Sequence, residues 1–131
     1  MDEELIEKME NYLKEIIEDN DTCIDIADTP IGNYGANCVA AVFGIADSLV
    51  DIKLTNCEIG NEGALSIFHE LRENNTVKEL DLSGNPLTED IFDALVELCQ
   101  ANRTLQRVLI MHIRAEKDHH KLRADPRIVH I

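Results

Sequence analysis

Tryptophan is absent, and two tyrosines and three phenylalanines are the whole aromatic content of this 131-residue chain. So few stacking platforms argue against binding to single-stranded nucleic acid. Positive charge is scarce as well. Twelve Lys and Arg stand against 26 Asp and Glu, for a formal charge of −14. Nucleic acid and anionic membrane surfaces attract clustered bases, so both are excluded as partners. No apolar run approaches the roughly 18 residues that cross a bilayer as a helix. The opening Met1-Asp2-Glu3-Glu4 is the reverse of a basic secretory leader, which predicts a cytoplasmic chain. Cys23, Cys38, Cys57 and Cys99 form no C-x-x-C pair, so free thiols in a reducing compartment are expected rather than zinc ligands. At 44% hydrophobic residues, the chain is too apolar for a disordered acidic tail.

Signatures of catalysis are missing too. There is no phosphate-binding G-x-x-x-x-G-K-[ST], no G-x-G-x-x-G, no G-x-S-x-G and no H-E-x-x-H. Ser48, Ser66 and Ser83 are the only serines, and none sits on a nucleophile turn. His112, His119, His120 and His130 invite a metal reading, but adjacent His119 and His120 cannot face one side of a helix or strand. Neither an enzyme, a metal site nor a cofactor is expected.

What the chain has is a repeat. Leu49-x-x-Ile52-x-Leu54-x-x-Cys57-x-Ile59 returns 28 residues later as Val77-x-x-Leu80-x-Leu82-x-x-Asn85-x-Leu87. It returns again as Leu105-x-x-Val108-x-Ile110, and one period earlier as Ile24-x-Ile26 with Thr29 and Ile31. Between these strand-like segments lie Ala36, Val39, Ala40 and Phe43, then Ala64, Ile67, Phe68 and Leu71, then Phe92, Leu95, Val96 and Cys99. That spacing makes an apolar stripe on a helix. Gly32-Asn33-Tyr34-Gly35 and Gly60-Asn61-Glu62-Gly63 mark helix starts, with Thr88 as a capping hydroxyl. Asn74-Asn75 and Asn102 mark exits, where Asn tolerates left-handed geometry.

The pattern L-x-x-L-x-L-x-x-N/C-x-L resembles the leucine-rich repeat family, and the 28-residue period its ribonuclease-inhibitor type. The resemblance implies a right-handed α/β solenoid, with parallel strands on the concave face and helices on the convex face. The whole chain, 1–131, is then a single domain: an N-terminal capping helix within 1–20, repeats over 21–113 and a C-terminal cap or tail over 114–131. In the capping helix Met9, Tyr12, Leu13 and Ile16 carry the stripe, with a short coiled coil as the rival reading. For the tail, a short polar helix over Arg114–Arg123 is expected to stop at Pro126, followed by a further strand or an extended segment over Arg127–Ile131.

Residues alternating with the buried strand positions share a face. They set Asp25, Asp51, Lys53, Thr55, Glu79, Asp81, Ser83, Arg107, Leu109 and Met111 on the concave sheet, with Cys23 and Ala27 at the first strand. Extended concave faces of this kind are what solenoids use to hold partners, so protein binding as an adaptor or assembly subunit is the expected function. Charge is polarised along the chain: residues 21–102 hold fifteen acids and three bases, residues 103–131 seven bases and three acids. The basic tail (Lys117, Lys121, Arg123, Arg127) is therefore a rival contact. The stretch Leu71-Arg72-Glu73-Asn74-Asn75-Thr76-Val77-Lys78-Glu79-Leu80-Asp81-Leu82-Ser83-Gly84-Asn85 resembles repeats of the tropomodulin and leiomodin family. That resemblance implies an actin-associated, cytoskeletal alternative. An enzyme using concave carboxylates ranks below both.

Overall fold

Asp2 starts the first helix by accepting the Leu5 N–H at 2.7 Å, and Glu3 and Glu4 set negative charge in its first turn, where the helix dipole favours it. Helix α1 (Glu3–Asp19) ends at Asn20, whose left-handed backbone (φ 52°) returns its N–H to the Ile16 and Ile17 carbonyls. The computed structural model describes residues 2–115 and 120–130. After α1 come strand β1 (Cys23–Asp25), α2 (Gly32–Val42), β2 (Asp51–Lys53), α3 (Asn61–Leu71) and β3 (Glu79–Asp81). A 3-10 turn (Glu89–Ile91) then leads into α4 (Phe92–Ala101), followed by β4 (Arg107–Leu109), a second 3-10 turn (His120–Ala124) and β5 (Ile128–Val129).

The strands form one parallel sheet in chain order, β1-β2-β3-β4-β5. Register follows the 28-residue period: Ile24 pairs with Ile52, Ile52 with Leu80 and Leu80 with Val108. All four side chains are fully buried, as are Leu49, Leu54, Cys57 and Ile59 and their counterparts Val77, Leu82 and Leu87. The helix stripes bury as expected, except that Val96 is half-buried while its neighbour Leu98 is covered. This is an α/β leucine-rich repeat solenoid. Each repeat alone has a bare strand face and a bare helix face, and stacking removes both from water.

Polar groups join the repeats. Asn85 is 1% exposed. Its side chain accepts the N–H groups of Cys57 (2.9 Å) and Ile59 (3.0 Å) and donates to the carbonyls of Leu54 (2.8 Å) and Leu82 (2.9 Å). One repeat earlier, Cys57 does less: its thiol donates to the Ile26 carbonyl at 2.9 Å. Asn33 accepts from Gly60 N–H (2.8 Å) and Gly63 N–H (3.0 Å), so α2 caps the start of α3. Asn61 does the same for Thr88, at 3.0 Å. The paired Gly-Asn-x-Gly phrases are thus caps for the following helix rather than for their own. A Cβ on Gly63 would lie 2.8 Å from the Ala36 Cβ, so that glycine permits the close approach of α2 and α3.

Left-handed backbone recurs at the 28-residue period in Asp28, Asn56, Gly84 and His112, at φ of 62°, 53°, 74° and 55°. Asn and Asp tolerate this region and Gly enters it freely. None of Asn74, Asn75 and Asn102 is left-handed as expected, and the reason is plainest at Asn102. Its backbone is extended (φ −111°) because its side chain is occupied on both sides. It donates to the Leu71 and Asn74 carbonyls, at 2.6 and 2.8 Å, and accepts from Thr104 and Leu105 N–H, at 2.9 and 3.0 Å.

The C-terminal region differs most. The polar helix expected over Arg114–Arg123 is reduced, among the described residues, to the 3-10 turn His120–Ala124, whose Leu122 is buried and which packs on α4. Residues 116–119, including His119 and Lys117, lie outside the described residues. Of the two readings for Arg127–Ile131, the strand is realised: Ile128 pairs with Val108 and Val129 with Leu109. Twenty positions separate these partners rather than 28, which is why the period faded there.

Candidate concave interface

Strands β1 to β4 place the ten expected surface residues on one face. Cys23, Asp51, Glu79 and Arg107 stand side by side in register, and Asp25, Lys53, Asp81 and Leu109 form the next row, extended by Val129. Ala27, Thr55, Ser83 and Met111 follow just beyond the strands, all half-buried. Asp25, Lys53 and Arg107 are exposed, while Asp51, Glu79, Asp81 and Leu109 are half-buried.

Asp25 and Asp81 are tied to their own chain, while Glu79 faces a base across the strands. Arg107 Nε lies 3.8 Å from Glu79 Oε1, an exposed pair of small energetic weight. Lys53 sits between Asp25 and Asp81 in register, yet each Asp turns a carboxylate oxygen to its own chain. Asp25 accepts the Ala27 N–H at 3.1 Å and Asp81 the Ser83 N–H at 3.0 Å. Ser83 is a structural tie as well, its hydroxyl accepting the Met111 N–H at 3.0 Å. The face is therefore acidic over β1–β3, and over β4–β5 it sets the exposed Arg107 beside the apolar Leu109, Met111 and Val129.

Of the basic tail, Arg127 is bound into the fold. Arg127 forms a double contact with Asp125 and donates to the carbonyls of Asn102 (2.9 Å), Leu105 (2.8 Å) and Cys99. It closes the C-terminal end of α4, where carbonyls lack helical partners. The guanidinium hydrogen-bonded to Asp125 holds that carboxyl below its ordinary pKa. Lys121 pairs with Asp93 at 3.1 Å, both exposed.

At the first strand the sheet has a feature that periodicity could not reveal. Strand β1 is the end of the sheet, and Tyr12 of α1 reaches across to accept the Asp25 N–H at 2.9 Å. Beside this bond lies a recess of about 510 Å³ with Leu5, Met9, Ile26 and Ala27 on its apolar sides and Asp25 at its rim.

Reactive groups are few. Burial pushes the Cys57 and Cys99 thiols up to about 11 and raises that of Cys23, an effect that nearby Lys53 opposes and Asp51 reinforces. Among the described residues, no group of three or more His, Cys, Asp or Glu is placed to hold a metal ion, and no helix is long and apolar enough to cross a membrane.

Comparison with known proteins agrees with the geometry. The Leucine Rich repeat family model matches residues 48–68 and 73–95. Leucine-rich repeat-containing protein 45 of Gallus gallus is 30% identical over 87 residues, which is 66% of this chain and 13% of that protein. The chain thus spans a small part of that relative. Among solved structures, Leiomodin-1 Actin-Binding Site 2 superposes with a TM-score of 0.75 over 85% of this chain and 66% of its own, at 19% identity, a likeness of fold.

Proposed function

This chain is a leucine-rich repeat solenoid, and we propose that it works as a non-catalytic protein-interaction module whose concave sheet holds the partner. The observation that carries the reading is the register. It assembles exposed and half-exposed side chains of four repeats into continuous rows on a rigid face, and such a surface loses little conformational entropy on binding. We take residues 1–131 as one interaction domain of ribonuclease-inhibitor type, since each 28-residue unit pairs a strand with an α-helix. Free thiols, two of them buried, suit a cytoplasmic setting.

Reversing the acidic centre tests this. The combined Asp51→Lys, Glu79→Lys and Asp81→Lys variant should keep its circular dichroism spectrum and lose the partners that wild type captures. Capture of every wild-type partner by the folded variant refutes the concave reading. The competing tail reading is best tested with Lys121→Ala and Arg123→Ala, because Arg127 supports the fold.

An actin-associated role is the second reading. The 71–85 phrase and the fold shared with the leiomodin-1 domain, whose name includes an actin-binding site, favour it. Co-sedimentation with purified filamentous actin decides it: a chain that stays in the supernatant at saturating actin is not a filament binder.

A further inference from the structure

Every internal strand of this sheet has a neighbour on both sides; β1 has a strand on one side and α1 on the other. Helix α1 packs on α2 as well as on β1, in the place of a preceding helix of the solenoid. Between α1 and β1 lies the recess already described. Its floor is core: Met9 is 4% exposed, and Leu5, Ile26 and Ala27 are half-buried around it. An apolar recess of this kind takes a large side chain from a partner, and such anchors carry much of the energy of an interface.

The recess is not built for strand addition. The Asp25 N–H, which an added strand would need, is already given to Tyr12. What enters is a side chain rather than a backbone. Charge then decides what flanks it. Asp25 stands exposed at the rim, with Asp21 and Asp28 exposed to either side of it in the chain. Lys8, which also lines the recess, pairs with Glu4 at 3.3 Å. Asp25 Oδ1 accepts the Ala27 N–H, and its second oxygen can meet a cation. Beyond the rim, the acidic rows over β2 and β3 continue the same preference.

We propose that this recess anchors a cationic partner segment: an aliphatic or aromatic side chain enters between α1 and β1 while a neighbouring Lys or Arg meets Asp25. The proposal rests on the concave-face reading and extends it by fixing one end of the partner and its chemistry. Acidic segments are excluded by like-charge repulsion.

The test uses the full chain as bait for a random dodecapeptide phage library, with the selected peptides then measured by fluorescence anisotropy. Selected peptides should place a large apolar residue within two positions of Lys or Arg. Ala27→Met should weaken them about tenfold by filling the recess, the size of effect expected at an anchor. The same repeat position already holds Met111 in the fourth unit, so the backbone accepts that residue. Asp25→Asn should cost about threefold and flatten the salt dependence, since it removes only charge. A benzophenone replacing the peptide's apolar residue should crosslink to the segments 5–12 or 26–29, a readout independent of any variant's fold. Failure to enrich such peptides, undiminished binding to folded Ala27→Met, or crosslinks elsewhere overturns the proposal. Peptides lost by the triple Lys variant but kept by Ala27→Met refute the anchor and spare the concave face. Peptides kept by all variants refute both.

Discussion

Replacing Asn85 by alanine removes more than one contact. The side chain serves two N–H groups and two carbonyls across two repeats, all at a position 1% exposed. A typical intramolecular hydrogen bond contributes about 1 kcal/mol net, and a buried group left without a partner costs about 1–3 kcal/mol. Water entering the new space restores some of this, so Asn85→Ala should cost about 3–5 kcal/mol on that scale. Domains have only about 5–15 kcal/mol in total. With about 2.1 cal/mol/K of unfolding entropy per residue, the melting temperature should drop by roughly 15 °C. Asn85→Cys is the informative control. Cys57 fills the equivalent position and keeps a thiol donor to the Ile26 carbonyl, so the variant should retain a donor to Leu54 and lose the acceptor for Cys57 and Ile59. Its cost should fall between wild type and alanine, at about 1–3 kcal/mol on the same scale. Urea unfolding followed by far-ultraviolet circular dichroism is the assay, since there is no tryptophan to report. An unchanged slope with a shifted midpoint assigns the effect to native stability. An Asn85→Ala variant within about 1 kcal/mol of wild type, or one milder than Asn85→Cys, would refute the claim that this side chain ties the repeats together.

Leu80→Asp, at a fully buried position, should unfold the domain, whereas Glu79→Gln should stay within about 0.5 kcal/mol; thermal melts of the pair check the strand register. Arg127→Lys should lower the melting temperature, because an ammonium cannot reproduce the fork that reaches Asp125 and three carbonyls. The depressed Asp125 carboxyl adds a stabilisation that is complete above the ordinary Asp value of about 3.9 and is lost as pH falls through the lower folded value. Acid titration of wild type should therefore be steeper below that pH than titration of Asp125→Asn. At mildly alkaline pH, a thiol reagent should leave Cys57 and Cys99 unmodified in the native protein, since burial raises both to about 11, and modify all four after denaturation; rapid native labelling of either contradicts their core placement.

Most of the framework was legible because one period carried it. The equivalent positions Ile24, Ile52, Leu80 and Val108 are buried in every unit, and a pattern repeated at 28 residues is hard to misalign. The concave rows followed from strand alternation alone. What escaped has a common physical origin: contacts between residues of different units. That Asn33 caps α3 and Asn61 serves Thr88 depends on the stacking distance of α2, α3 and α4, which a single unit does not encode. Asn102 looked like a left-handed exit because its side-chain partners, Leu71 and Asn74, lie a full repeat away. Arg127 read as tail charge because the last unit is eight positions short of the period, hiding its place against α4. The recess beside Tyr12 lies between α1 and β1, and hydrophobic spacing within one element does not report the space between two.

The interlocking caps have a bearing on how such a chain can lengthen. Helix starts are completed by the preceding unit through Asn33 and Asn61, while helix exits and turns are completed by the following one through Asn85, Asn102 and Arg127. A seam therefore carries donors and acceptors on both sides, fullest where Asn85 meets Cys57 and reduced one unit earlier, where Cys57 takes the place of the Asn. Duplicating a whole 28-residue unit keeps each of these residues one period from its partner, so growth by copying preserves the register of the bonds. An insertion of any other length across a seam separates Asn33 from Gly60 or Asn85 from Cys57 and strands buried amides. The bonding pattern thus filters genetic change, admitting complete copies and rejecting fractions of one.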